Sequence, residues 1–150
     1  MAISRIKRII FAVFMVFFFS NTALYSEGDK KEELRNYLKN IDPVLTRVQI
    51  TTSNFSQKLL TIESVISEMK AYIDTIHSLR PPEFIIRQHK MMLLSLKKLR
   101  MGFYMLSSGD RLASVRLVNR GRDLLRLAVK DIVKFGKDEG LIKGEDEIAH

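Results

Sequence analysis

A double proline in Leu79-Arg80-Pro81-Pro82-Glu83 divides this chain between two long heptad patterns. Upstream, the apolar positions run Leu45, Val48, Thr52, Phe55, Leu59, Ile62, Ile66, Met69, Ile73 and Ile76, with Thr52 the only polar member. Downstream they resume as Ile85, His89, Met92, Leu96, Leu99, Phe103 and Leu106. Alternating steps of three and four hold these side chains on one stripe of an α-helix, the seam by which one helix packs along another. Proline has no backbone N–H and turns the residue before it away from helical dihedrals, so the pair ends one helix and lets the next begin. The pattern predicts an all-α fold: an antiparallel up-down-up bundle of three long helices plus a short N-terminal helix.

The local signals place the ends. Asp29 to Ile41 predicts the short charged helix, with Leu34, Tyr37, Leu38 and Ile41 on one face. Asp42-Pro43 has the form of an N-cap followed by proline at the first helical position, so the first long helix is expected from Pro43 to Leu79, about 55 Å at 1.5 Å per residue. Thr51-Thr52-Ser53-Asn54 is its weakest stretch, a place for a bend. The second long helix should run from the corner to Leu106 and stop at Ser107-Ser108-Gly109-Asp110, a glycine C-cap joined to an N-capping aspartate. The third should run from Arg111 to about Phe135 on a stripe of Ser114, Val118, Gly121, Leu125, Ala128, Ile132 and Phe135, with Gly121 permitting a close helix crossing. Gly136, Gly140 and Gly144 are expected to end it.

Residues 1–26 have the pattern of a secretory signal peptide: Arg5, Lys7 and Arg8, then an unbroken apolar run from Ile9 to Phe19, then small or polar residues. Eleven helical residues reach roughly 16 Å, about half a hydrocarbon core, so cleavage is expected. An uncleaved anchor extending to Tyr25 is the alternative. The expected organisation is therefore a signal peptide over 1–26, a helical bundle over 27–136 and an acidic, glycine-containing tail over 137–150, in an exported, periplasmic or secreted protein. The chain holds no cysteine, which excludes disulfides, thiol nucleophiles and lipoprotein-type acylation.

Charge is divided unevenly. Of the net +8, the segment from Arg80 to Lys137 carries 14 basic against 4 acidic residues, while Glu27 to Leu79 is nearly neutral. On the last helix Arg116, Arg120, Arg126, Lys130, Lys134 and Lys137 fall within about 120°, opposite the apolar stripe, by the 100° step of a helix. Only Asp123 and Asp131 can temper them. Outside the cytoplasm such a face suits anionic lipid headgroups, cell-wall polymers or an acidic protein; nucleic acid is not expected of an exported chain.

His77 and His89 flank the corner, and two imidazoles can hold a metal or a haem. No carboxylate is patterned with them, so the expected role of His89, together with Pro81 and Pro82, is structural, with a histidine donating to a neighbouring helix or capping groups near the corner. Met91, Met92, Met101 and Met105 are expected to fill the core. No glycine-rich phosphate loop, Ser-His-Asp order or pair of carboxylates on an apolar face is present, and no enzymatic activity, catalytic residue, metal or cofactor is predicted.

Leu45-Thr46-Arg47-Val48-Gln49 resembles the Leu-Thr-x-x-Gln motif of periplasmic chaperones that carry it twice, which are small, cysteine-free helical proteins. A second copy is missing, since Leu60-Thr61-Ile62-Glu63-Ser64 ends in Ser where Gln is required. Leu79-x-Pro81-Pro82 followed by His89 is similar to small exported bacterial helical proteins without an assigned activity. The expectation is a non-enzymatic exported bundle that binds a protein or an envelope surface, with homo-oligomerisation as a further form of association. The alternatives are a chaperone-like holder of unfolded clients, which the motif resemblance implies, and a haem- or metal-carrying bundle.

Overall fold

A computed structural model describes residues 28–140, so the signal peptide expected over 1–26 and the tail from residue 141 onward lie outside the described residues. Four helices follow one another: α1 (Gly28–Ser56), α2 (Ile62–Ser78), α3 (Ile86–Ser107), entered through one 3-10 turn at Glu83–Ile85, and α4 (Arg111–Asp138). The all-α expectation stands, and among the described residues there is no strand.

The first half of the chain departs from the expectation. The short helix at Asp29–Ile41 is not separate, because α1 continues through Pro43 to Ser56. One stripe of Leu34, Tyr37, Ile41, Val44, Leu45, Val48 and Thr51 is buried on both sides of the proline. Pro43 sits on the exposed face, where water can take the carbonyl bond that its ring forgoes. Burial of the stripe outweighs the missing bond.

The long helix expected from Pro43 to Leu79 breaks after Ser56, beyond the stretch that looked weakest. Thr51 to Asn54 are helical, and the Thr52 hydroxyl bonds back to the carbonyls of Val48 and Gln49, both at 2.9 Å. Steps of three and four from Thr51 arrive instead at Lys58, whose ammonium cannot occupy the seam. Lys58 takes a left-handed conformation, φ 61°, and the turn is closed by Lys58 N–H to Phe55 O and Leu59 N–H to Asn54 O, both at 2.9 Å. This paired bonding is a Schellman C-cap with lysine where glycine is usual. Leu59, predicted in the seam, is 67% exposed. Thr61 then caps α2 by accepting from the Ser64 N–H at 3.2 Å, and the helix buries Val65, Met69, Ile73 and Ile76. Ile66, also predicted in the seam, is only half-buried.

The later signals place their turns correctly. Leu79 leaves helical geometry at φ −74°, ψ 143°, and the 3-10 turn closes with Ile85 N–H to Pro82 O at 3.1 Å. Gly109, at φ 89°, supplies the left-handed residue of a second Schellman cap, with Asp110 N–H bonding Met105 O at 2.9 Å. Asp110 in turn caps α4 by accepting from the Ala113 N–H at 2.9 Å. Gly136 does not end α4; it is buried in the last turn, and the helix runs to Asp138.

α3 touches every other helix. It runs parallel to α1, since Tyr37 meets His89 and Phe55 meets Phe103 further along both. It runs antiparallel to α4, since Ser95 bonds Gly121 while Phe84, just before α3, stacks on Phe135 with centroids 5.0 Å apart. Small residues let these two backbones approach. A Cβ on Gly121 would lie 2.9 Å from both the Leu99 Cγ and the Ser95 carbonyl, and one on Gly102 would lie 2.7 Å from the Val118 Cγ2. Gly121 was legible as the crossing point; Gly102 is its counterpart on α3.

Candidate functional site

The basic face of α4 exists as a surface because the opposite face is bound to α3. Ser114, Gly121, Ala128, Val129, Ile132 and Gly136 are buried, which turns Arg116, Arg120, Arg126, Lys130 and Lys134 outward, and all five are exposed. Lys137 is exposed as well. Their carboxylate neighbours are few. Arg126 lies 3.7 Å from Asp123, with both side chains about two-thirds exposed, and among the described residues this is the one ion pair on the stripe. A pair this exposed leaves the charge of the face nearly intact, because water screens it. Chemically the face offers guanidinium forks and ammonium groups to phosphate or carboxylate oxygens.

The corner has a different character. Pro81 and Pro82 are half-buried, and with Leu79, Arg80, Glu83 and, from α1, Glu33, Asn36, Tyr37 and Asn40, they bound an open cleft of about 420 Å³. Beneath it, His89 is 6% exposed and Tyr37 4%. The Tyr37 hydroxyl lies 2.9 Å from His89 Nδ1. Burial raises the phenol above its ordinary range, while burial, and secondarily the charge of His77, lowers the imidazole. Both groups are therefore neutral at pH 7, and the tautomer of the ring sets which of the hydroxyl and Nδ1 is the donor. Through this nitrogen His89 contacts α1, a neighbouring helix.

His77 is exposed, and among the described residues no group of three or more metal-ligating side chains converges. Met92 is buried as expected, but Met101 is 48% exposed. Leu45 of the Leu-Thr-x-x-Gln segment is buried in the α1 seam, and its Thr46 and Gln49 are half-buried. No described helix is long and apolar enough to cross a membrane.

Two groups of residues escaped the sequence reading. Thr51, not Thr52, is the polar member of the seam; its hydroxyl donates to Glu68 of α2 and lies 2.9 Å from the Tyr72 hydroxyl, which itself donates to Glu68 at 3.0 Å. Burial is the main cause that raises the Tyr72 phenol above its ordinary range. The phase of the stripe counted from Leu34 would have found Thr51. The second group is the outer face of α3, where Ile86, Leu94, Met101 and Tyr104 are exposed. Lys90 and Lys97 alternate with them, and no acidic residue occurs anywhere in the helix. That absence was visible in the sequence.

Comparison with protein families, characterised proteins and solved structures returns no match to this chain.

Proposed function

We propose that this protein is a non-enzymatic, exported helical bundle that binds an anionic partner of the cell envelope through the basic face of α4. The alternating course of successive helices belongs to the same reading, since it leaves α4 at the edge with its far side open. The observation that carries the proposal is the outward display of Arg116, Arg120, Arg126, Lys130 and Lys134 with a single, exposed carboxylate partner among the described residues. Export rests on the pattern of residues 1–26. A concentrated cationic face raises the local concentration of anionic partners and speeds their encounter.

The test is co-sedimentation of the protein with isolated envelope fragments. Changing Arg116, Arg120, Arg126 and Lys130 to Gln should leave circular dichroism and melting unchanged, because exposed charges contribute little to stability. The same variant should lose envelope binding, and binding by the unaltered chain should weaken as salt shortens the screening length to roughly 3 Å at 1 M. Salt-insensitive binding together with full retention in the variant would exclude this face.

A further inference from the structure

We infer that the outer face of α3 is a second binding surface, one that lies on and partly enters an anionic lipid bilayer. This rests on the envelope reading above and names lipid as one component of it. Ile86, Leu94, Met101 and Tyr104 are 37%, 46%, 48% and 57% exposed. They follow at helical spacing along roughly 27 Å of one ridge, at 1.5 Å per residue. Lys90 and Lys97 stand between them, and Arg87 flanks the first turn.

The charge pattern selects the occupant. Five basic residues and no acid on α3 make a second copy of the same face a poor partner, because lysines would meet lysines. An anionic surface is the complement. The depression bounded by Ile86, Arg87, Lys90, Met91 and Leu94 is open rather than enclosed, so it suits a broad surface rather than an inserted helix. Exposed apolar side chains interleaved with lysines, with a tyrosine at one end, are the elements by which a helix rests at the headgroup level: the apolar groups enter the acyl boundary and the lysine stems reach back to phosphate.

The chain contains no tryptophan, so a single introduced one reports its own surroundings. Full-length Leu94→Trp and Met101→Trp variants, and an Ile50→Trp control on α1, are mixed with vesicles of phosphatidylglycerol in phosphatidylcholine and of phosphatidylcholine alone. Emission from the two α3 variants should shift to the blue with the anionic vesicles only, and the control should not move. Each cation near an anionic leaflet multiplies partitioning by about fivefold, so adding Lys90→Gln and Lys97→Gln should weaken the shift's vesicle dependence by about 25-fold. Vesicle-bound protein without a shift on α3 would overturn the proposal, since it would be held elsewhere. An equal shift on phosphatidylcholine alone would overturn the anionic component. A shift produced by an acidic amphipathic peptide but not by vesicles would assign the face to a protein and also overturn it. These readings are confined to α3, so their failure leaves the α4 proposal to the envelope experiment.

Discussion

The Ser95 hydroxyl donates to the Gly121 carbonyl at 2.8 Å, a buried bond between α3 and α4 at one of their two glycine crossings. Replacing Gly121 by Ala gains about 1 kcal/mol of helix propensity but drives a methyl against the Ser95 carbonyl and the Leu99 side chain, and overpacking costs about 1–3 kcal/mol. A net destabilisation of about 0–2 kcal/mol is expected, with Gly102→Ala behaving likewise, because a carbonyl or backbone nitrogen cannot swing aside. Chemical denaturation measures it. A more stable Gly121→Ala variant would mean the crossing is looser than described.

Acid should destabilise the bundle through His89. Its folded pKa is lowered from 6.5, so the unfolded chain takes up the proton more readily. The stabilisation is fully present above 6.5 and is lost as pH falls through that value toward the lower folded one. Melting temperature should accordingly drop between pH 7 and pH 5, and His89→Gln should flatten part of that drop. Tyr37→Phe should cost about 1–2 kcal/mol at pH 7, because Nδ1 then stays buried without its partner.

The second half of the fold was legible because its turns are written in glycine, proline and aspartate. Gly109 with Asp110, Pro81 with Pro82, and Gly121 each meet a backbone requirement that few other residues satisfy. The first half was less legible because two of its residues act against type. Pro43 has the form of a helix start yet lies inside α1, overridden by a stripe buried on both sides of it. Lys58 ends the helix without glycine or proline nearby, and the seam phase from Leu45 hid it by choosing Leu59. The basic stripe of α4 was readable from periodicity and composition. The apolar ridge of α3 was not, because a heptad pattern marks the buried seam and is silent on what faces away.

Lys58→Gly should stabilise the protein by about 0.5–1 kcal/mol. A left-handed conformation costs a residue with a Cβ about 1–2 kcal/mol, and glycine returns part of that gain as unfolded-chain entropy. Lys58 is exposed, so no packing is lost. Thermal melting reads the sign directly, and a destabilised variant would show that the turn is not left-handed.

Neighbouring substitutions on α2 should separate the observed seam from the one predicted. Val65 is fully buried and Ile66 half-buried. Val65→Asp should abolish cooperative melting, since burying a carboxylate costs several kcal/mol against a domain stability of about 5–15 kcal/mol. Ile66→Asp should leave a cooperative, lowered transition. Equal effects would mean that both side chains face the core.

The Tyr37–His89 bond joins residues 52 positions apart in the chain. During synthesis at about 5–20 residues per second, Tyr37 leaves the ribosome roughly 3–10 s before its acceptor. Through that interval the stripe of Leu34, Ile41, Val44, Leu45 and Val48 has α2 within reach but not α3, which touches all the other helices. The α3–α4 hairpin is made last by the ribosome, and helical bundles pair in microseconds to milliseconds, far faster than that interval. Completion of the bundle thus waits on chain length rather than on the speed of helix pairing.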